Sequence, residues 1–217
     1  MISQENIYNM KFLKKYRLFE SKVIGFEDNK QGNFVVVAGG PGSGKSFVSH
    51  NLINLKDYKY VNVDTLRELM AKKLNLDLKN PEDNLKILKM TYTTSDPRNR
   101  TIRFLKNFLK IEKNELPNII FDAGGGQTDV IRTINSLAKE LNYETTLVHV
   151  KTDIDIALER NRKRERVLSD EMVIDYHDRV KKSIKILKDI FDNVWQVNNN
   201  EKWDLINRPS DRIFKLK

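Results

Sequence analysis

The chain has 217 residues, no cysteine and a formal net charge of +9, from 39 Lys and Arg against 30 Asp and Glu. That length suits one α/β domain with a substantial core, and the missing cysteines exclude disulfides, thiolate zinc sites and cysteine nucleophiles. His50, His149 and His177 are too scattered to suggest a structural metal site, and no apolar run approaches the length of a membrane span.

The first 32 residues read as a helical extension, with Phe12, Leu13, Tyr16 and Phe19 on one face and Lys11, Lys14, Lys15 and Arg17 outside it. This stretch alternates charged and apolar residues and lacks a signal-peptide core, so a soluble, cytoplasmic protein with no membrane partner is expected. Asn33 to Ala38 (NFVVVA) is a continuous β-branched run of the kind a buried parallel strand shows. Gly39-Gly40-Pro41-Gly42-Ser43-Gly44-Lys45-Ser46 follows and fits G-x-x-x-x-G-K-[ST] at every fixed position. A helix is expected from Phe47 to Leu55, a strand from Tyr58 to Val63, and a helix over 65–74.

Residues 75–116 read as an insert, with one helix starting at Asn80-Pro81 and another over 99–112 after the break at Asp96-Pro97. Leu116 to Phe121 is the third strand, ending at Asp122, and Gly124-Gly125-Gly126 leads into a helix from Thr128 to Leu141. Thr145 to Val150 and Val194 to Val197 are the fourth and fifth strands, with a helix from Asp153, a lid over 160–170 and a helix starting at Ser169 between them. A polar extension over 199–217 closes the chain. Strands separated by helices argue one α/β P-loop domain over 33–198: a parallel sheet of about five strands, helices on both faces and a lid.

In such a sheet ligands sit beyond the strand C-termini, where Gly39, Asp64 and Asp122 all fall. Glycines let a loop turn its N–H groups onto phosphates, Lys45 adds a compact positive charge, and Ser46 offers a hydroxyl to Mg²⁺ at a helix N-terminus. ATP and Mg²⁺ are therefore the expected cofactors, with Asp122 as a Walker B aspartate on the metal. Asp64 is the candidate general base and Arg67, one helical turn later, the candidate phosphate clamp; a capping role for Asp64 is the alternative. The run Arg160-Asn161-Arg162-Lys163-Arg164 would deliver positive charge to the β and γ phosphates, with Arg160 and Arg164 sharing one helix face. Tyr92, Arg98, Arg100 and Arg103 of the insert, together with Arg67 and Gly124 to Gly126, are the candidate acceptor contacts. The charge excess favours a polyanionic partner.

The blocks GGPGSGKS, VNVDTLRE, IIFDAGGGQTDV and ALERNRKRERVLSDEMV resemble the P-loop kinases that include the zeta toxins and the kinase domain of phage polynucleotide kinase, over residues 33 to about 197. The resemblance implies that Asp64 is the base, that Arg67 contacts the acceptor side, and that Arg160 and Arg164 of an R-N-x-K-R lid touch nucleotide phosphates. Zeta toxins phosphorylate a UDP-amino-sugar and carry threonine and arginine where this chain has Gly124 and Gly126. The expected activity is therefore transfer of the γ-phosphate of ATP to a hydroxyl of a nucleotide or nucleic acid, as in a phage-type kinase. A zeta-toxin-like kinase of a UDP-sugar, a P-loop ATPase and an inactive nucleotide-binding module are the alternatives. The sequence has no guanine-reading N-K-x-D, and it implies no obligate protein partner.

Overall fold

The computed structural model describes residues 24–26, 32–78, 80–92, 116–164, 167–201 and 212–217. The N-terminal helix, the helix expected over 99–112, and Arg98, Arg100 and Arg103 lie outside the described residues.

The elements in chain order are β1 (Ile24–Gly25), β2 (Asn33–Ala38), α1 (Lys45–Asn51), β3 (Ile53–Asn54), β4 (Tyr58–Asn62), α2 (Val63–Leu74), α3 (Pro81–Tyr92), β5 (Asn118–Gly124), α4 (Thr128–Glu140), β6 (Glu144–Lys151), α5 (Ile154–Arg162), α6 (Asp170–Leu187), β7 (Asn193–Asn198) and β8 (Ile213–Lys215). Six strands form one sheet in the order β4-β5-β2-β6-β7-β8, and β1 pairs with β3 in a separate two-stranded sheet. The five strands from β4 to β7 in that order are parallel, and β8 runs antiparallel to β7.

The fold is thus the expected α/β sheet, with differences at its margins. The C-terminal segment supplies a sixth strand, too short for periodicity to reveal. The first helix stops at Asn51, and Ile53 and Asn54, read as its continuation, pair in parallel with Ile24 and Gly25. β5 continues past Asp122 to Gly124.

Every residue of β2 is buried, as a central strand covered on both faces requires. The alternation of the pleat sorts its side chains into two cores. Phe34, Val36 and Ala38 pack with Phe121 of β5 and with Val130, Ile131, Ile134 and Ala138 of α4. Val35 and Val37 pack with Val48 and Leu52 beside α1 and with Val148 and Val150 of β6. Each fully buried valine contributes about 1.5–3 kcal/mol. Because β5 lies between β2 and β4 while β6 lies on the other side of β2, the chain order reverses about β2. Its C-terminal end is therefore the crevice of the sheet, and the glycine-rich loop leaves from there.

Candidate active site

The loop after β2 has the backbone that its sequence demands. Gly42 and Gly44 sit at φ +75 and +85, conformations that cost a β-carbon residue about 1–2 kcal/mol. Five later segments hold the loop. Asn199 Nδ2 donates to the Ser43 carbonyl at 2.6 Å, and Thr152 Oγ1 donates to the same oxygen at 3.1 Å. His177 Nε2–H, from α6, donates to the Pro41 carbonyl at 2.8 Å. A β-carbon on Gly42 would lie 2.3 Å from the Ala157 carbonyl oxygen of α5. The Gly39 N–H donates to the Gly124 carbonyl at 3.0 Å, which joins the loop to the glycine turn after β5.

These observations test whether phosphates fit. The Ser43 hydroxyl is buried and has no hydrogen-bond partner among the described residues. Lys45 Nζ is 3.5 Å from the Gly40 carbonyl, so the ammonium curls back over the loop it would serve. A β-carbon on Gly39 would lie 2.5 Å from Ser43 Oγ, so the loop closes tightly only without one. Gly39, Gly40, Pro41, Gly42, Ser43, Gly44, Lys45 and Ser46 thus form a cradle suited to a triphosphate.

Asp122 is 6% exposed and sits level with Asn62 on β4 and Val37 on β2. Its Oδ2 accepts from the Tyr60 hydroxyl at 3.0 Å and from Asn62 Nδ2 at 3.4 Å. The Tyr60 hydroxyl also meets Ser46, and burial, followed by the Asp122 charge, pushes the phenol pKa up to about 12. Ser46 and Asp122 therefore share one neighbour, which suits oxygen donors for Mg²⁺. Among the described residues no group of three or more His, Cys, Asp or Glu could hold a metal. Mg²⁺ at such loops takes few protein ligands and completes its shell with water and phosphate oxygens.

Asn62, not Asp64, caps α2: its side chain accepts from the Asp64 N–H at 2.8 Å. The Asp64 carboxylate, 69% exposed, pairs at 3.1 Å with Arg67 Nη1, whose own side chain is only 11% exposed. Asn84 of α3 fixes the other arm, accepting from Arg67 Nη2 at 2.7 Å. A buried guanidinium thus holds an exposed carboxylate at the rim of the crevice.

The glycine turn is covered from α6. Gly124 and Gly125 have φ of +72 and +92. The Tyr176 hydroxyl lies where it would meet a Gly124 β-carbon at 2.9 Å, and the ring would meet one on Gly126 at 3.0 Å. Burial, and after it the Asp64 charge, raise the Tyr176 pKa, with Arg179, Arg67 and Asp122 also acting on it.

The basic run is arranged differently from the single helix expected. α5 ends at Arg162, so Arg160 and Arg164 do not share a helix face, and Arg164 is exposed in the bend beyond. Arg160 Nη1 donates to the Asn199 carbonyl at 2.7 Å and Nη2 to that of Asn200 at 3.3 Å. Arg162 pairs with Asp170, and Lys163 with Glu159. Asn161 is fully buried and clasps the run: its Nδ2 donates to the Leu168 carbonyl at 2.8 Å and its Oδ1 accepts from the Leu168 N–H at 3.3 Å. Ser169 caps α6 by accepting from the Met172 N–H.

The structure brings Lys45, Ser46, Asp64, Arg67, Asp122 and Gly124 to Gly126 to one edge of the sheet. Tyr92 ends α3, and nothing further of it is described. Tyr60, Asn62, Asn84, Tyr176, His177 and Asn199 belong to the same region, and sequence reasoning missed them. Strand alternation puts Tyr60 on the Asn62 face of β4 and could have found it.

A parallel sheet with a glycine-rich loop leaving its central strand, with Asp122 near the C-terminal end of the adjacent β5 and Asp64 just past the end of β4 beyond it, defines a nucleotide-binding P-loop fold of kinase type. More particularly, the chain belongs to the AAA domain family, whose model matches residues 34–185. No curated protein sequence matches it significantly. Among solved structures, one of the PezAT chromosomal toxin–antitoxin system of Streptococcus pneumoniae is similar at 17% identity and TM-score 0.55, over 99% of this chain and 80% of that one. A structure of AvrRxo1-ORF1:-ORF2 with ATP is similar at 16% identity and TM-score 0.53, over 89% of this chain and 63% of that one. At such identities the likeness is one of fold. No described helix is long and apolar enough to cross a membrane.

Proposed function

We propose that the chain is an ATP-dependent kinase that phosphorylates a hydroxyl of a nucleotide or nucleic acid. The observation that carries this reading is the Asp64–Arg67 pair: an exposed carboxylate, released from capping by Asn62, held at the crevice rim beside the strand that presents Asp122. An ATPase would use such a carboxylate on water and a kinase on an acceptor hydroxyl, so labelling of an acceptor distinguishes the two.

When bound, ATP supplies the phosphoryl group, and Mg²⁺ supplies charge that offsets its oxygens. Lys45 and the loop N–H groups hold the phosphates, and Ser46 and Asp122 hold the metal. Asp64 accepts the acceptor hydroxyl's proton, while Arg67 keeps the carboxylate aimed and gives positive charge to the acceptor side. Arg160 and Arg164 add charge from the lid after a rearrangement that frees Arg160 from the 199–200 carbonyls.

A polyanionic acceptor is favoured by the +9 charge and by glycines at 124 and 126 in place of the zeta-toxin threonine and arginine. A UDP-amino-sugar is the second reading, supported by the aspartate–arginine spacing the chain shares with zeta toxins. The test is incubation with γ-labelled ATP, Mg²⁺ and a panel of nucleosides, oligonucleotides and UDP-sugars, beside the Lys45→Ala variant. Label transferred to a nucleotide or oligonucleotide by wild type and lost in the variant is the expected result. Transfer to UDP-sugars alone would reverse the order of acceptors, and ATP hydrolysis with no acceptor labelled would overturn the kinase reading.

A further inference from the structure

In the sequence Gly124 and Gly126 look like losses, because related kinases place side chains there. In the structure the space above them is filled from α6. The Tyr176 hydroxyl stands 2.9 Å from the position of a Gly124 β-carbon, and ring carbons Cε1 and Cζ stand 3.0 and 3.1 Å from that of a Gly126 β-carbon. Any residue other than glycine would have to displace the ring. The turn and the tyrosine are thus two halves of one arrangement, contributed by separate elements.

The ring has a second neighbour. Arg179, one turn further along α6, carries its guanidinium carbon 5.1 Å from the ring centroid, and it is paired with Asp175. The turn and Arg179 both crowd the ring, and the hydroxyl lies over Gly124 at the C-terminal end of β5. There it shares the field of Asp64, Arg67 and Asp122.

We propose that Tyr176 is the acceptor-recognition residue of this site, its hydroxyl donating a hydrogen bond to an acceptor oxygen beside the hydroxyl that is phosphorylated. This rests on the kinase reading above and adds what that reading leaves open, the group that replaces the missing side chains of the glycine turn. The ligand class is an oxygen-rich sugar or sugar-phosphate, not an apolar alcohol. Because burial and Asp64 raise its pKa, the phenol keeps its proton at neutral pH and acts as a donor.

The experiment is Tyr176→Phe, which keeps the ring and its packing. Steady-state kinetics with γ-labelled ATP are measured on whichever of a nucleoside 3′-monophosphate, a 5′-hydroxyl oligonucleotide and UDP-N-acetylglucosamine wild type labels best. The KM for that acceptor is expected to rise by about 10-fold, the value of one hydrogen bond to a partly enclosed group. The KM for ATP and the melting temperature should stay unchanged. Gly124→Ala, which shifts the hydroxyl without deleting it, should raise the same KM. An unchanged acceptor KM in Tyr176→Phe overturns the inference, as does an equal weakening of ATP with a lowered melting temperature, which marks a packing role. Wild type that binds ATP and labels no acceptor overturns the kinase reading itself, and this inference with it.

Discussion

The Tyr60 hydroxyl donates to Asp122 Oδ2 at 3.0 Å, joining the edge strand β4 to the carboxylate on β5. The same hydroxyl meets Ser46 at the start of α1. The phenol therefore orients Asp122 and neighbours Ser46, the two oxygen donors proposed for Mg²⁺, while its ring packs on His50 with centroids 4.8 Å apart. Tyr60→Phe keeps the ring contact and removes the hydroxyl. Outer-shell partners of this kind are worth about 10- to 100-fold in metal affinity or activity. Titration of activity against Mg²⁺ should show half-saturation shifted upward by about that factor, with stability lowered by about 1–3 kcal/mol as the buried Asp122 loses its shorter hydrogen bond. An unshifted Mg²⁺ curve would show that Tyr60 only packs.

Asp64→Asn separates chemistry from folding. The ion pair with Arg67 joins an exposed carboxylate to a buried guanidinium, so losing its charge should cost about 1–3 kcal/mol of stability. The fold should survive, because the amide oxygen still accepts from Arg67 and Asn62 still caps α2. Phosphoryl transfer should fall by ~10² to 10⁴, the span for losing a positioned general base, with ATP affinity retained. Near-full activity would mean that the carboxylate has no part in proton transfer.

Gly42 and Gly40 make a paired test of the loop. At Gly42 a β-carbon meets both a positive φ and the Ala157 carbonyl oxygen at 2.3 Å, and that oxygen belongs to a helix backbone that cannot step aside. At Gly40 it meets only the His177 ring, also at 2.3 Å. Gly42→Ala should destabilise by about 2–5 kcal/mol, combining left-handed strain with overpacking, and should abolish nucleotide binding. Gly40→Ala should cost about 1–2 kcal/mol, since the ring can rotate at the expense of its bond to Pro41. Urea unfolding with nucleotide titration distinguishes the two.

What the sequence discloses here follows contact range. The runs NFVVVA and NIIF declare central strands because both faces are covered, and the loop motif, Asp64, Arg67 and Asp122 declare themselves by local spacing. β8 does not, since its three residues take their identity from pairing with β7. The clamps were hidden for the same reason. Asn199 acts on Ser43 across 156 positions and His177 on Pro41 across 136, and no periodicity spans such distances. The asparagine of the basic run reads as part of a charged face, yet it is fully buried, because only the fold shows that both its donor and its acceptor are satisfied by Leu168. Glycines 124 and 126 read as missing contacts until Tyr176 is seen above them.

His149 gives the protein a pH dependence of stability. It sits on β6 level with Ala38 and Gln196, and burial, then the Lys151 charge, lower its pKa from 6.5 to about 4 against a hydrogen bond with Gln196. His177 adds a smaller charge effect of the same sign. Between those two values the unfolded chain binds the proton and the folded one does not, so falling pH favours unfolding. The stabilisation is complete above about pH 6.5 and is lost progressively down to about pH 4, by about 3 kcal/mol at most. Asp192 acts in a separate window. Burial opposes ionisation there, but hydrogen bonds from Lys139 and Thr145 hold its pKa below 3.8, so its contribution is lost only as the pH falls through the lower carboxylate range. Urea unfolding at pH 7 and pH 4.5 should show the loss in wild type, and His149→Gln, which cannot titrate, should remove most of the difference between the two conditions. An equal loss in the variant would place the acid sensitivity in other groups.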